Sequence, residues 1–192
     1  KADDLLGVWI GTGIGGGLVL NGRLYYGTFM TAGEIGHTIL FPGNPPGSRS
    51  LEHNTSRTSI ADRIARLIRS NRKSQISKMI DDDGLSSIKS RTIAEAFRSG
   101  DELTVQVIEN TADMLGIGIA NMVTTLSLGR VVLGGGLVEA LGDPLVDLVR
   151  KSVRRNVFPD RCKQVDVVGT KLLDEAGVLG AALIAAERLN SK

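Results

Sequence analysis

The stretch VWIGTGIGGGLVLNGRLYYG, from Val8 to Gly27, carries glycines at 11, 13 and 16 in the spacing G-x-G-x-x-G. Gly11, Thr12 and Gly13 have the makings of a phosphate cradle, because successive glycine N–H groups can point into one concavity. In a dinucleotide-binding unit such a turn opens a helix whose N-terminus holds the pyrophosphate. Here the glycines run instead toward Asn21-Gly22, the dipeptide of a tight hairpin turn, flanked by short strands expected at Leu18–Leu20 and Arg23–Tyr26. The residues alone leave two readings open: a hairpin phosphate loop, or a plain glycine-rich turn. Further along, AGEIGHT places Glu34 and His37 between glycines, and Glu52 follows. Taken alone, Glu34 reads as a loop carboxylate and His37 as a satisfied core histidine. A second glycine run, Gly134, Gly135 and Gly136, ends an apolar segment.

The elements that must position these residues can be read from periodicity. A strand is expected over Leu5–Ile10. Residues 42–58, with three prolines and two glycines, read as an irregular loop. A helix starts near Ser59, with Ser59 and Asp62 as a capping pair and Ile60, Ile64, Leu67 and Ile68 as its apolar stripe. Residues 70–91 read as a connection with at most a short helix. A short helix follows over Thr92–Ser99. Asp101 then caps a long one that reaches about Ser127. Val131–Leu133 is a buried strand. Asp143-Pro144 reads as an N-cap with proline in the first turn. QVDVVG is another strand, and AGVLGAALIAAERL is a small-residue helix in which Gly177 and Gly180 suggest a backbone or ligand pressed close. A β-meander followed by α-β-α-β-α is the topology of a ribonuclease-H-like, actin/hexokinase-type α/β lobe.

The 192 residues suit one domain with a sizeable core. Lys and Arg number 23 against 21 Asp and Glu, a net charge of +2, which gives no electrostatic case for nucleic acid. The basic run Arg63, Arg66, Arg69, Arg72 and Lys73 reads as a solvated helix face. No segment approaches the roughly 20 apolar residues of a membrane span. Cys162 stands alone, which excludes an internal disulfide and fits a reducing cytoplasm.

IGTGIGGG, AGEIGHT, Leu51-Glu52, VVLGGGL and AGVLGAALIA, in this order, resemble the ROK family of bacterial sugar kinases and sugar-responsive repressors. The resemblance covers essentially the whole chain. It implies that Gly11, Thr12 and Gly13 approach the phosphates of ATP with Mg2+, and that Glu34, His37 and Glu52 contact sugar hydroxyls. An ionised carboxylate suits that task, since it accepts from two adjacent hydroxyls. It implies further that Gly134, Gly135 and Gly136 border the adenosine. The other reading of that run, a turn that simply needs glycine, stays open.

Two departures stand out. Typical members bind a structural zinc through the histidine of E-x-G-H and three cysteines of a following loop. The segment FPGNPPGSRSLE contains no cysteine, so no structural zinc and no other metal site in this chain is expected. The family's catalytic base is an aspartate near the end of an N-terminal lobe. That segment would precede Lys1, so residues 1–192 read as a single C-terminal lobe, with no catalytic base of its own and inactive as a fragment. The leading expectation is the C-terminal lobe of an ATP-dependent kinase of a hexose or amino-hexose, cytoplasmic, homodimeric and without membrane contact. The alternative is the sugar-binding and dimerisation lobe of a repressor without kinase activity, which would meet DNA through an upstream helix-turn-helix.

Overall fold

The computed structural model describes residues 3–79, 88–173 and 175–190. One five-stranded mixed sheet has the order β3-β2-β1-β4-β5. Strands β1 (Leu5–Ile10), β2 (Ile14–Leu20) and β3 (Arg23–Tyr25) form the antiparallel meander; β4 (Arg130–Gly134) and β5 (Asp166–Gly169) add parallel to β1. Along β1, Leu6, Val8 and Ile10 are fully buried and Trp9 is exposed, the alternation of a sheet with one face on the core. Each such aliphatic side chain contributes roughly 1.5–3 kcal/mol of burial. The Asn21-Gly22 turn forms as its sequence predicts, both residues at positive φ.

The second strand begins at Ile14, four residues ahead of the expected Leu18. The glycines at 15–17 are therefore strand and not loop. Their reason is tertiary. A Cβ on Gly16 would lie 2.3 Å from the carbonyl oxygen of Gly33, and one on Gly36 would lie 2.3 Å from that of Ile14. Bare backbone on both sides lets the segment around Glu34 lie directly on β2.

The segment expected to be irregular holds a short helix, α1 (Leu51–Thr55), capped by Ser50, whose Oγ accepts from His53 N. Leu51 is fully buried and packs where Gly118 leaves room for it. The next helix, α2 (Arg57–Arg69), starts two residues earlier than expected, because Ser56 and not Ser59 is its cap. The hydroxyl of Ser59 donates instead to the Glu52 carbonyl at 3.1 Å. Within the 70–91 connection lies α3 (Ile76–Met79); residues 80–87 lie outside the described residues.

Next come α4 (Ser90–Arg98) and the long α5 (Glu102–Leu126), which is capped by Asp101 as expected. After β4 come α6 (Gly136–Leu141) and α7 (Asp143–Asn156). Asp143 is not the cap of α7; Gly142 holds that position at φ 70°, and Asp143 sits in the first turn beside Pro144. Helices α5 and α7 pack closely, with Gly116 of α5 against Ser152 of α7. The apolar stripe of α5 is thereby consumed by the core.

The last helix, α8 (Glu175–Asn190), departs from expectation. A Cβ on Gly177 or Gly180 would meet nothing within 4 Å, and Val178, Leu183 and Leu189 are well exposed. Its small residues are not spent on close packing among the described residues.

Candidate functional site

The turn Gly11–Gly13 joins β1 to β2, with Ile10 paired to Ile14 across it. Gly11 N–H donates to Gly13 O at 2.9 Å, and the carbonyl of Gly11 accepts from Arg57 N at 2.9 Å. Thr58 Oγ donates to the Thr12 carbonyl at 3.0 Å. These bonds fasten the turn to the start of α2. Among the described residues the N–H groups of Thr12 and Gly13 make no hydrogen bond. Two adjacent unpaired donors on a partly exposed turn, beside a hydroxyl, suit an anion.

Glu52 lies under this turn. Its Oε2 accepts the N–H of Ile14 at 2.7 Å. The segments that carry His37 and Glu52 are joined through the backbone, since Leu51 N–H donates to Thr38 O at 2.9 Å, but Glu34 and His37 do not line the cavity that Glu52 lines. Glu34 precedes the 3-10 turn Ile35–His37. Its Oε2 lies 3.9 Å from His37 Nε2, and the two side chains are 54% and 70% exposed, so both stand free to meet a ligand. A cavity of about 780 Å3 opens between the turn and the first helices, lined by Thr12, Glu52, His53, Thr58, Asp62 and Arg66 among others.

Gly134–Gly136 back onto the same hairpin. A Cβ on Gly135 would lie 2.7 Å from Ile10 O, and one on Gly134 would lie 2.9 Å from the Trp9 ring. Gly135 also sits at φ 90°. Both therefore have a requirement for glycine within the chain itself. Gly136 is more open, with only Ser90 Oγ at 4.0 Å. The hairpin thus gathers the three expected groups: the Thr12 turn, the carboxylates with His37, and the glycine run.

Sequence reasoning missed Arg57 and Thr58, which lie 45 and 46 residues from Thr12 and carry no spacing signal. It also left His53 structural; its Nδ1 is 2.8 Å from Ser50 Oγ at the cavity wall.

The loop between the histidine and Glu52 is closed by its own polar groups. Ile39 and Ser50 form an antiparallel bridge. Arg49 O accepts from Leu40 N and Phe41 N. Arg49 Nε donates to Asn44 O, and Asn54 Nδ2 donates to the carbonyls of Ser48 and Ser50 at 2.9 and 2.8 Å. Among the described residues, no three His, Cys, Asp or Glu side chains converge as a metal site.

The sequence pattern described as the ROK family matches residues 1–188. The chain belongs to the ROK family. ROK members similar to it include a glucokinase of Halalkalibacterium halodurans, 30% identical across 99% of this chain and 58% of that protein. A xylose repressor of Caldicellulosiruptor bescii is 25% identical across 99% of this chain and 48% of its own length. Among solved structures, a ROK glucokinase from Streptomyces griseus in complex with glucose and AMPPNP superposes with a TM-score of 0.83 at 27% identity, covering 96% of this chain and 61% of that one. The chain spans under two thirds of the length of these relatives. Its fold is that of the actin/hexokinase-like ROK sugar kinases. No described helix is long and apolar enough to cross a membrane.

Proposed function

We propose that this chain is the C-terminal lobe of an ATP-dependent kinase acting on a hexose or amino-hexose. The observation that carries the reading is the Thr12 turn, with two unpaired N–H groups fixed directly above Glu52. Phosphate oxygens fit the unpaired donors of that turn, while the Glu52 oxygen beside Gly13 is taken up by the N–H of Ile14; bound ATP with Mg2+ supplies the phosphoryl group. Thr12 and Gly13 hold the phosphates. Glu34, His37 and Glu52 accept and orient the sugar hydroxyls. The bond from the terminal phosphorus to the leaving ADP oxygen breaks as the bond to the sugar oxygen forms, and the hydroxyl proton passes to a base. We assign that base to an N-terminal lobe outside this chain. The 192 residues alone should then not turn over, since a positioned base supplies roughly 10²–10⁴ in rate.

The loop at 39–50 does not fit a zinc ion, having no thiolate, and we propose that hydrogen bonds replace the metal. A cytoplasmic homodimer is proposed too; the exposed apolar side chains of α8 support an interface, and a strictly monomeric mass by light scattering would reject it.

The second reading is the sugar-sensing lobe of a repressor, which the similarity to the xylose repressor supports. Glu34, His37 and Glu52 serve it equally well. The unpaired donors at Thr12 and Gly13 favour the kinase, because a pure sensor has no need of a phosphate site. The test is ATP-dependent phosphorylation of glucose and amino-hexoses by the complete protein. Sugar binding without nucleotide binding would replace the kinase by the sensor.

A further inference from the structure

Arg57 enters α2 beside the Thr12 turn. Its Nη2 donates to Thr12 Oγ1 at 3.1 Å, and it makes no ion pair among the described residues. A guanidinium has five N–H donors in a planar fork; here one is used. The nearby carboxylate, Glu52, is already engaged by Ile14 N–H. We propose, on the reading of the Thr12 turn as a phosphate site, that Arg57 contacts the terminal phosphoryl group of the bound nucleotide.

Three observations converge on this. The first is that the guanidinium is not needed to shape the turn. Arg57 N–H already holds Gly11 O, and Thr58 Oγ already holds Thr12 O. The second is the direction of the bond to Thr12. The hydroxyl accepts from Arg57, so its own proton is free to donate outward, alongside the unpaired N–H groups of Thr12 and Gly13. A ligand there meets two backbone donors, a hydroxyl donor and a cation, a set that suits a phosphate, and the Glu52 oxygen beside Gly13 is occupied by the N–H of Ile14. The third is placement. Gly135 backs onto Ile10 at the end of β1, whereas Arg57 and Glu52 meet the far end of the turn, at Thr12 and Ile14. A nucleotide laid from the glycine run toward the sugar brings its last phosphate to Arg57, where a cation stabilises charge on the transferring group.

The experiment compares ATP, ADP and sugar binding by calorimetry in the complete protein and in Arg57→Ala and Arg57→Gln. Glutamine keeps a donor for Thr12 and removes the charge. Both variants should weaken ATP about tenfold to a hundredfold, leave ADP within about twofold, and leave sugar affinity unchanged. Parent-like ATP affinity in Arg57→Gln, or equal losses for ATP and ADP, or a parallel loss of sugar, would each overturn the contact. A parent protein that binds sugar but no nucleotide would instead sink the phosphate site itself, and the contact with it.

Discussion

Gly13 and Glu52 compete for one volume: a Cβ on Gly13 would lie 2.3 Å from Glu52 Oε2, the same oxygen that accepts the N–H of Ile14. The glycine is small at that point because the Glu52 carboxylate occupies the space beside it. The turn proposed for phosphate and the carboxylate proposed for sugar are thus built against each other.

Gly13→Ala should therefore expel the Glu52 carboxylate and leave the N–H of Ile14, a buried residue, without its partner. The expected cost is about 1–3 kcal/mol of stability. Sugar and nucleotide affinity should fall together, read by a thermal melt and two titrations. Unchanged sugar binding in a folded Gly13→Ala protein would remove Glu52 from the site.

Glu34→Ala should behave differently. Glu34 is over half exposed, so its loss should not disturb the fold. A hydrogen bond to a charged acceptor contributes roughly 1.5–3 kcal/mol. Sugar affinity should drop about tenfold to over a hundredfold, with ATP-analogue affinity retained. His37→Ala should cost less, since the histidine side chain is the more exposed of the two. Parent-like sugar binding in Glu34→Ala would return Glu34 to an ordinary loop carboxylate.

Purified protein should carry well under one zinc per chain, and a chelator should leave its melting temperature unchanged. Asn54→Ala should lower stability by about 1–2 kcal/mol, because Asn54 holds the carbonyls of both Ser48 and Ser50. Stoichiometric zinc in elemental analysis would show that the loop is held some other way.

Asp101 predicts a pH dependence. Burial raises its pKa, but hydrogen bonds from Thr104 Oγ, Gln75 N, Thr104 N and Ser74 Oγ outweigh burial and leave the carboxyl below its ordinary value. A carboxyl depressed in the folded state adds stability that is present above the unfolded pKa, about 3.9, and is lost as pH falls through the folded one. Asp101→Asn should cost about 0.5–2 kcal/mol at neutral pH and flatten the loss of stability on acidification. An unchanged acid limb in denaturant titrations would assign that limb to other carboxylates.

What was legible in the sequence follows how local the cause is. The Asn21-Gly22 turn and the Asp101 cap are short-range signals, and both stand where they were read. The long α5 follows from periodicity alone. The glycines at 15–17 were misread, because glycine has little strand preference of its own; their strand exists because Gly33 and Gly36 must lie against it. Helix α1 was missed for the same reason. Its polar residues have no stripe, and what makes it helical is the Ser50 cap and the pocket left by Gly118. The motif residues of the site were readable in chain order. Arg57 was not, because only folding brings it to Thr12.

The close seating of Gly33 and Gly36 on β2 has a consequence for ligand entry. The strand that leaves the Thr12 turn is the strand that carries the segment around Glu34. The Thr12 turn and the segment around Glu34 are thus one body, ordered when the chain folds. The conformational entropy of arranging them is settled beforehand, so on the proposed reading binding need not bring them together. Any closure that completes the site must then be a movement of this whole unit against something else.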